Sequence, residues 1–218
     1  MTEYKVNDIK SDVRLALDQN STGGQLVELR DIDALMMESI IESKLLDAAR
    51  IVESSAPTHL LGSGVKMENV DVDWNEYIVG AGSIKMPDDY MRLVIFKMGS
   101  WMRPVTSIIS VADPLYALQK SRFAGVRGCP ERPIVAMVPT EDDRTLEFYT
   151  STSDEDSIEL CQYLPMPKIV NEDGEDKILL CEKLRSSIVY YTAYLVAISV
   201  GEAELAATLQ NTAKELMQ

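Results

Sequence analysis

The spacing of apolar side chains changes character along the chain. Val6, Ile9, Val13 and Leu17 recur every three or four positions, which predicts a helix over Val6–Asp18 with Asn7 or Asp8 as its cap. The stretch Asn20-Ser-Thr-Gly-Gly24 is expected to end it, because glycine accepts the left-handed conformation that follows a helix C-terminus. A longer helix is predicted from Ile32 to Ser54, with Asp31 as N-cap. Met37, Ile41, Leu45, Ala48 and Val52 mark its buried stripe, widened by Ile40 and Ala49. The other side carries Glu38, Glu42, Lys44, Asp47 and Arg50; Glu38 and Glu42 repel at i,i+4, whereas Asp47 and Arg50 attract at i,i+3. Pro57 stops this helix, since the residue before a proline avoids helical angles.

From Gly62 to about Pro167 the pattern shortens. Pro87, Pro104, Pro114, Pro130, Pro133, Pro139, Pro165 and Pro167 exclude a long helix. Runs of strand character cover Glu76–Val79, Leu93–Met98, Val105–Val111, Ile134–Val138, Leu146–Tyr149 and Ile158–Tyr163, with a short helical piece at Leu115–Ser121. The connectors Thr140–Arg144 and Ser151–Asp156 predict that the later strands form an antiparallel meander. Gly62-Ser-Gly64 and Gly80-Ala-Gly82 read as turns. The acidic stretch Asn171–Asp176 reads as a solvated loop, after which a helix is expected from about Asp176 to Val200. Gly201 breaks it, and Leu205 or Ala206, Leu209, Ala213 and Leu216 stripe a last helix. The expected fold is α+β: a helical bundle built from residues 1–61 and 171–218, with an antiparallel β-rich sub-domain inserted over 62–170.

The segment Ile188–Val200 stands apart. It is apolar on nearly every helical face, interrupted only by Thr192 and Ser199. It falls short of the ~20 residues a membrane span needs, and Glu182, Lys183, Arg185, Glu202 and Glu204 flank it. A helix apolar all round is buried all round, yet one face of a peripheral helix in a single bundle meets water. A second copy of the chain would supply the cover. Tyr190, Tyr191, Tyr194 and Ile198 are the candidate contact residues, because tyrosine buries a large area at modest entropic cost and keeps a polar tip. The same tyrosines would serve equally well in the chain's own core, and both readings stay open. Trp101 is assigned to the core of the β block.

Hydrophobic residues at 46% and charged residues at 26% exclude disorder for most of the length. The first residues, MTEYKVNDIKSD, lack the apolar core of a signal peptide, so a cytoplasmic protein, or one assembled there, is expected. A net charge of −14 favours solubility and argues against a nucleic-acid-binding surface, which needs clustered Lys and Arg. Cys129, Cys161 and Cys181 are odd in number and contain no C-x-x-C, so they read as free, mostly buried thiols. His59, the single histidine, sits between Thr58 and Leu60 after a helix and suits a surface or capping role. No H-E-x-x-H, Walker A or G-x-S-x-G pattern occurs. Asp71 and Asp73, Asp88 and Asp89, Asp142 and Asp143, and Asp154–Asp156 offer oxygen ligands for a hard cation, but none has EF-hand spacing and all read as solvated faces or turns. No catalytic residue, cofactor or metal is expected; an enzyme using these carboxylates would need a deep pocket lined by them.

The order of several short patterns is more specific than any one of them. Ile84-Lys-Met-Pro-Asp-Asp-Tyr-Met-Arg-Leu93 is followed by Trp101-Met-Arg-Pro-Val105, Arg132-Pro-Ile-Val135, Leu146-Glu-Phe-Tyr149 and Tyr190-Tyr-Thr-Ala-Tyr194. Over roughly residues 5 to 217 this succession resembles the head-to-tail adaptors of tailed bacteriophages, the tail accessory or tail tubular A-like ring proteins. The resemblance implies a helical bundle with an inserted β domain and a twelve-fold homo-oligomeric ring. It implies a structural virion protein at the head–tail junction, assembled in the host cytoplasm. The ring would bind the portal and other tail proteins and form part of the genome-ejection conduit. DNA would pass its lumen without sequence-specific binding, and an acidic lumen would repel phosphates within the ~8 Å screening length. Some members reach the portal with a long C-terminal arm. Here the last helix stops just before Gln218, so docking through the helices or a β-domain loop is expected. The alternative is a soluble bacterial binding or regulatory protein, dimeric through the C-terminal helix.

Overall fold

A computed structural model describes residues 1–20, 31–68, 70–121, 123, 125–140 and 144–218, excluding the side chains of 19, 20 and 31–35. The chain is α+β and divides into two compact units, one formed by Met1–Gly62 with Met166–Gln218 and the other by Ser63–Pro165.

The first unit opens with strand β1 (Thr2–Lys5), helix α1 (Val6–Asn20) and helix α2 (Asp31–Ser55). Val6, Ile9, Val13 and Leu17 of α1 and Ile41, Leu45, Ala48, Ala49 and Val52 of α2 are buried, as the helical period requires, while Met37 and Ile40 are half-buried. The expected stop at Asn20–Gly24 and the capping by Asp31 lie outside the described residues and side chains. Glu38 and Glu42 repel each other within α2, but each faces a cation of α1. Lys10 reaches Glu42 at 2.6 Å, and Arg14 pairs with Glu38. The like-charge pair is thus a two-point clamp between helices. Pro57 follows the end of α2, and a single 3-10 turn, Thr58–Leu60, comes next.

The second unit holds β2 (Val65–Lys66), β3 (Asp73–Trp74), β4 (Gly82–Lys85), β5 (Tyr90–Met98), β6 (Ile109–Ser110), helix α3 (Pro114–Gln119), β7 (Val135–Pro139), β8 (Arg144–Phe148) and β9 (Ile158–Pro165). They form two sheets, in the orders β2-β9-β5 and β3-β4-β8-β7-β6. Side chains from both sheets meet in one core around Phe96, Trp101, Leu146 and Phe148. Trp101, 2% exposed, belongs to that core as expected.

Several expectations for this region are corrected. β7 and β8 form the predicted antiparallel hairpin, but β9 leaves it to pair with β5 and β2, so the meander is broken. The acidic connector before β9 is anchored elsewhere. Asp154 accepts the Gly80 N–H at 2.8 Å, and Asp156 accepts the Ser100 hydroxyl at 2.6 Å. The sheet is not wholly antiparallel, since β6 runs parallel to β7. Val105–Val111 is not a continuous strand; Val105 makes only an isolated bridge to Phe96. Glu76–Val79 is a turn rather than a strand, because the Asn75 carboxamide accepts the backbone N–H groups of Tyr77 and Ile78 and curls the chain. Gly80 is a turn glycine with φ 75°, whereas Gly82 lies within β4 and is small because Phe148 and Trp74 crowd it.

The chain re-enters the first unit at Met166, so residues 166–170 belong with the helices rather than with the β block. There the expected loop and early helix are instead a hairpin, β10 (Ile169–Glu172) and β11 (Glu175–Leu180). Asp173 and Gly174 both have positive φ, the turn geometry that matches strand twist. β1 pairs with the other side of β11, giving a three-stranded antiparallel sheet that sequence periodicity did not predict. After a 3-10 turn, Glu182–Leu184, helix α4 runs Arg185–Val200 and helix α5 runs Ala203–Glu215. Gly201, at φ 87°, separates them as predicted. Among the described residues no helix is long and apolar enough to cross a membrane.

Candidate functional site

Helix α4 packs against α1, α2 and α5. Its sequence has almost no amphipathic signal, so neighbours rather than pattern decide which face is covered. Ile188, Val189, Thr192, Ala193, Val196 and Ala197 are buried. The two polar interruptions are absorbed locally. Thr192 donates its hydroxyl to the Ile188 carbonyl at 2.7 Å, and Ser199 donates to Leu195 at 2.9 Å.

The opposite face is only partly covered by the described residues. Tyr190, Tyr191, Tyr194 and Leu195 are half-buried and Ile198 is 51% exposed. At 3.6 residues per turn these five positions occupy one continuous arc of roughly 140°. The four residues singled out from the sequence therefore share one face, and Leu195, one turn beyond Tyr191, completes it. Tyr191 and Tyr194 form an edge-to-face pair with ring centroids 5.1 Å apart. Desolvation, and secondarily Tyr194, pushes the Tyr191 hydroxyl above its ordinary range, so it remains a neutral donor at physiological pH. The apolar surface continues onto α1. Leu15, 54% exposed, lines a groove of about 190 Å³ with Val189 and Tyr190. Leu15 had the right signal in sequence, an apolar residue off the buried face of its helix. At the groove's end Arg185 pairs with Asp12 and lies over the Tyr4 ring at 5.2 Å.

The other candidate groups are dispersed. His59 is exposed. Cys161 and Cys181 are buried free thiols, which burial pushes up to about 11 and about 12, and Cys129 is half-buried. Asp142 and Asp143 lie outside the described residues. Among the described residues no three His, Cys, Asp or Glu side chains gather where they could hold a metal.

The most deeply buried carboxylate among the described residues is structural. Glu53 of α2 is 0% exposed and accepts the Cys181 N–H at 2.8 Å, fixing the end of β11 to the helix. Desolvation raises its pKa above the ordinary 4.5, with the Cys181 N–H pulling the other way. Because the folded value is the higher one, the unfolded chain loses this proton first. The penalty is absent below about pH 4.5 and grows as pH rises to the folded value. Glu53→Gln, which keeps an acceptor and cannot ionise, is expected to melt higher than the native protein at pH 7. The gap should close toward pH 4, and thermal scans of both proteins across that range read it directly.

No family model and no curated protein sequence matches this chain.

Proposed function

We propose that the protein is a structural ring subunit, a head-to-tail adaptor that joins a phage portal to the tail and forms part of the DNA conduit. The observation that carries this reading is the aromatic face of α4, which the described residues cover only in part. Half-buried tyrosines and an exposed isoleucine on one continuous face are what a subunit keeps for its neighbour. In a ring each copy uses two different patches, and the contacts close when the rotation allows. In this reading α1, α2, α4 and α5 act as the bundle, and the order of short patterns from Ile84 to Tyr194 supports the same assignment. The net charge of −14 suits a conduit that DNA must slide through.

Mass photometry tests the proposal, with the purified chain alone and with portal complexes. Native protein is expected as a large ring or as a portal-bound species, and Ile198→Asp combined with Tyr194→Asp should abolish both. These residues are not part of the buried core, so the doubly substituted chain should keep its helical circular dichroism. A dimer as the largest species would favour the soluble binding protein that pairs through the same helix. A strict monomer that ignores portal overturns both readings.

A further inference from the structure

A second site lies in the β-rich unit, away from α4 in sequence. The loop between β3 and β4, the residue after α3 and strand β8 surround a cavity of about 300 Å³. That volume is at the lower end for small-molecule sites and suits a ligand of one ring. Its base is pre-organised. Tyr116 donates its hydroxyl to Glu147 Oε2 at 3.0 Å, and Tyr149 donates to the same oxygen. Among the described residues no donor occupies Oε1. Burial and the adjacent Glu147 push the Tyr149 hydroxyl far above its ordinary range, which keeps it protonated as the donor. Lys120 sits over the Tyr116 ring at 4.7 Å and lines the same cavity.

The mouth is aromatic. Trp74 is half-buried with its edge against Phe148, and Tyr77 is 90% exposed. The Tyr77 ring contributes little to the fold, and its backbone N–H donates to the Asn75 carboxamide at 2.9 Å, which sets the turn that presents the ring. A large ring exposed to water at a cavity mouth gains free energy when something covers it.

The charges select the class of occupant. Asp73 and Glu147 outnumber Lys120, so a phosphate or carboxylate ligand is repelled. An organic cation would meet the Lys120 ammonium in the same space. What remains is a neutral molecule whose groups both donate and accept. Sugar hydroxyls do this, accepting a hydrogen bond from Lys120 while donating one to Glu147 Oε1, and their ring C–H faces pack on Tyr77 and Trp74. We propose that this cavity binds one residue of a neutral saccharide, gripped between the Tyr77 and Trp74 rings and the Glu147–Lys120 pair.

Saturation-transfer NMR on the full chain tests it, using the methyl glycosides of glucose, galactose, mannose and N-acetylglucosamine as probes. At least one is expected to receive saturation, with an affinity of about 1 mM, and to change the fluorescence of half-buried Trp74. Tyr77→Ala, at an exposed position, and Glu147→Gln, which turns an acceptor into a donor, should each weaken it about tenfold or more. The assembly-deficient Ile198→Asp, Tyr194→Asp chain should bind as the native protein does. Silence from all four glycosides overturns the proposal. So does an affinity unchanged by Tyr77→Ala, or saturation transfer to choline with none to the sugars.

Discussion

Replacing Phe148 by alanine is expected to cost about 3–5 kcal/mol of unfolding free energy, the range for a fully buried aromatic residue cut to a methyl group. Phe148 is the hub of the β-rich unit. It is 0% exposed and meets Trp74 edge-on at 5.5 Å, Phe96 at 5.7 Å and Trp101 at 6.2 Å. Its backbone sits in the middle of the five-stranded sheet, opposite Gly82 on one side and Val135 on the other. Gly82 leaves room for the ring, since a Cβ there would come within 2.8 Å of the ring tip. Removing the ring therefore opens a cavity whose walls are held by two sheet partners and cannot collapse inward. Both tryptophans of the chain touch this residue, so urea unfolding followed by tryptophan emission reports on this unit alone. Phe148→Leu, which keeps most of the volume, should lose less than half as much. A loss under about 1 kcal/mol for the alanine variant would mean that the aromatic cluster does not hold the sheets together.

The parts of this fold that local periodicity controls were legible from the sequence. α1 and α2 bury the predicted residues because an amphipathic helix carries its whole packing instruction in its own 3.6-residue repeat. The hairpin at residues 169–180 was missed although Asp173-Gly174 is a strong hairpin signal, because the surrounding acidic residues read as loop and the apolar Ile178–Leu180 read as the start of α4. β1, Thr-Glu-Tyr-Lys, was missed because a four-residue edge strand has too few positions to show alternation. The departure of β9 from the meander depends on groups far away in sequence, the Gly80 N–H and the Ser100 hydroxyl, that hold its connector. The candidate interface divides the same way. That α4 is apolar all round is visible in the sequence; that Tyr190, Tyr191, Tyr194, Leu195 and Ile198 are the partly covered side depends on where α1, α2 and α5 lie.

Gly80→Ala is expected to destabilise by about 2–5 kcal/mol, far more than one methyl group on a turn would suggest. Two separate costs meet there. The residue has φ 75°, which any L side chain resists by roughly 1–2 kcal/mol. A Cβ would also lie 1.8 Å from the Ser151 carbonyl oxygen, which is backbone and cannot swing aside. Relief requires the two chain segments to part, and their contact includes the Ser151 N–H to Gly80 carbonyl bond at 3.0 Å. The Gly80 N–H bond to Asp154 at 2.8 Å would strain with it, and a buried bond left unmade costs about 1–3 kcal/mol. Gly201 separates the two terms. Its φ of 87° is as unfavourable, but a Cβ there meets nothing within 4 Å. Gly201→Ala should therefore show the conformational cost alone, roughly 1–2 kcal/mol. Calorimetric melting of the two variants should place Gly80→Ala clearly below Gly201→Ala; equal melting would show that the Ser151 segment yields without cost and that the turn is not clamped against the connector from β8 to β9.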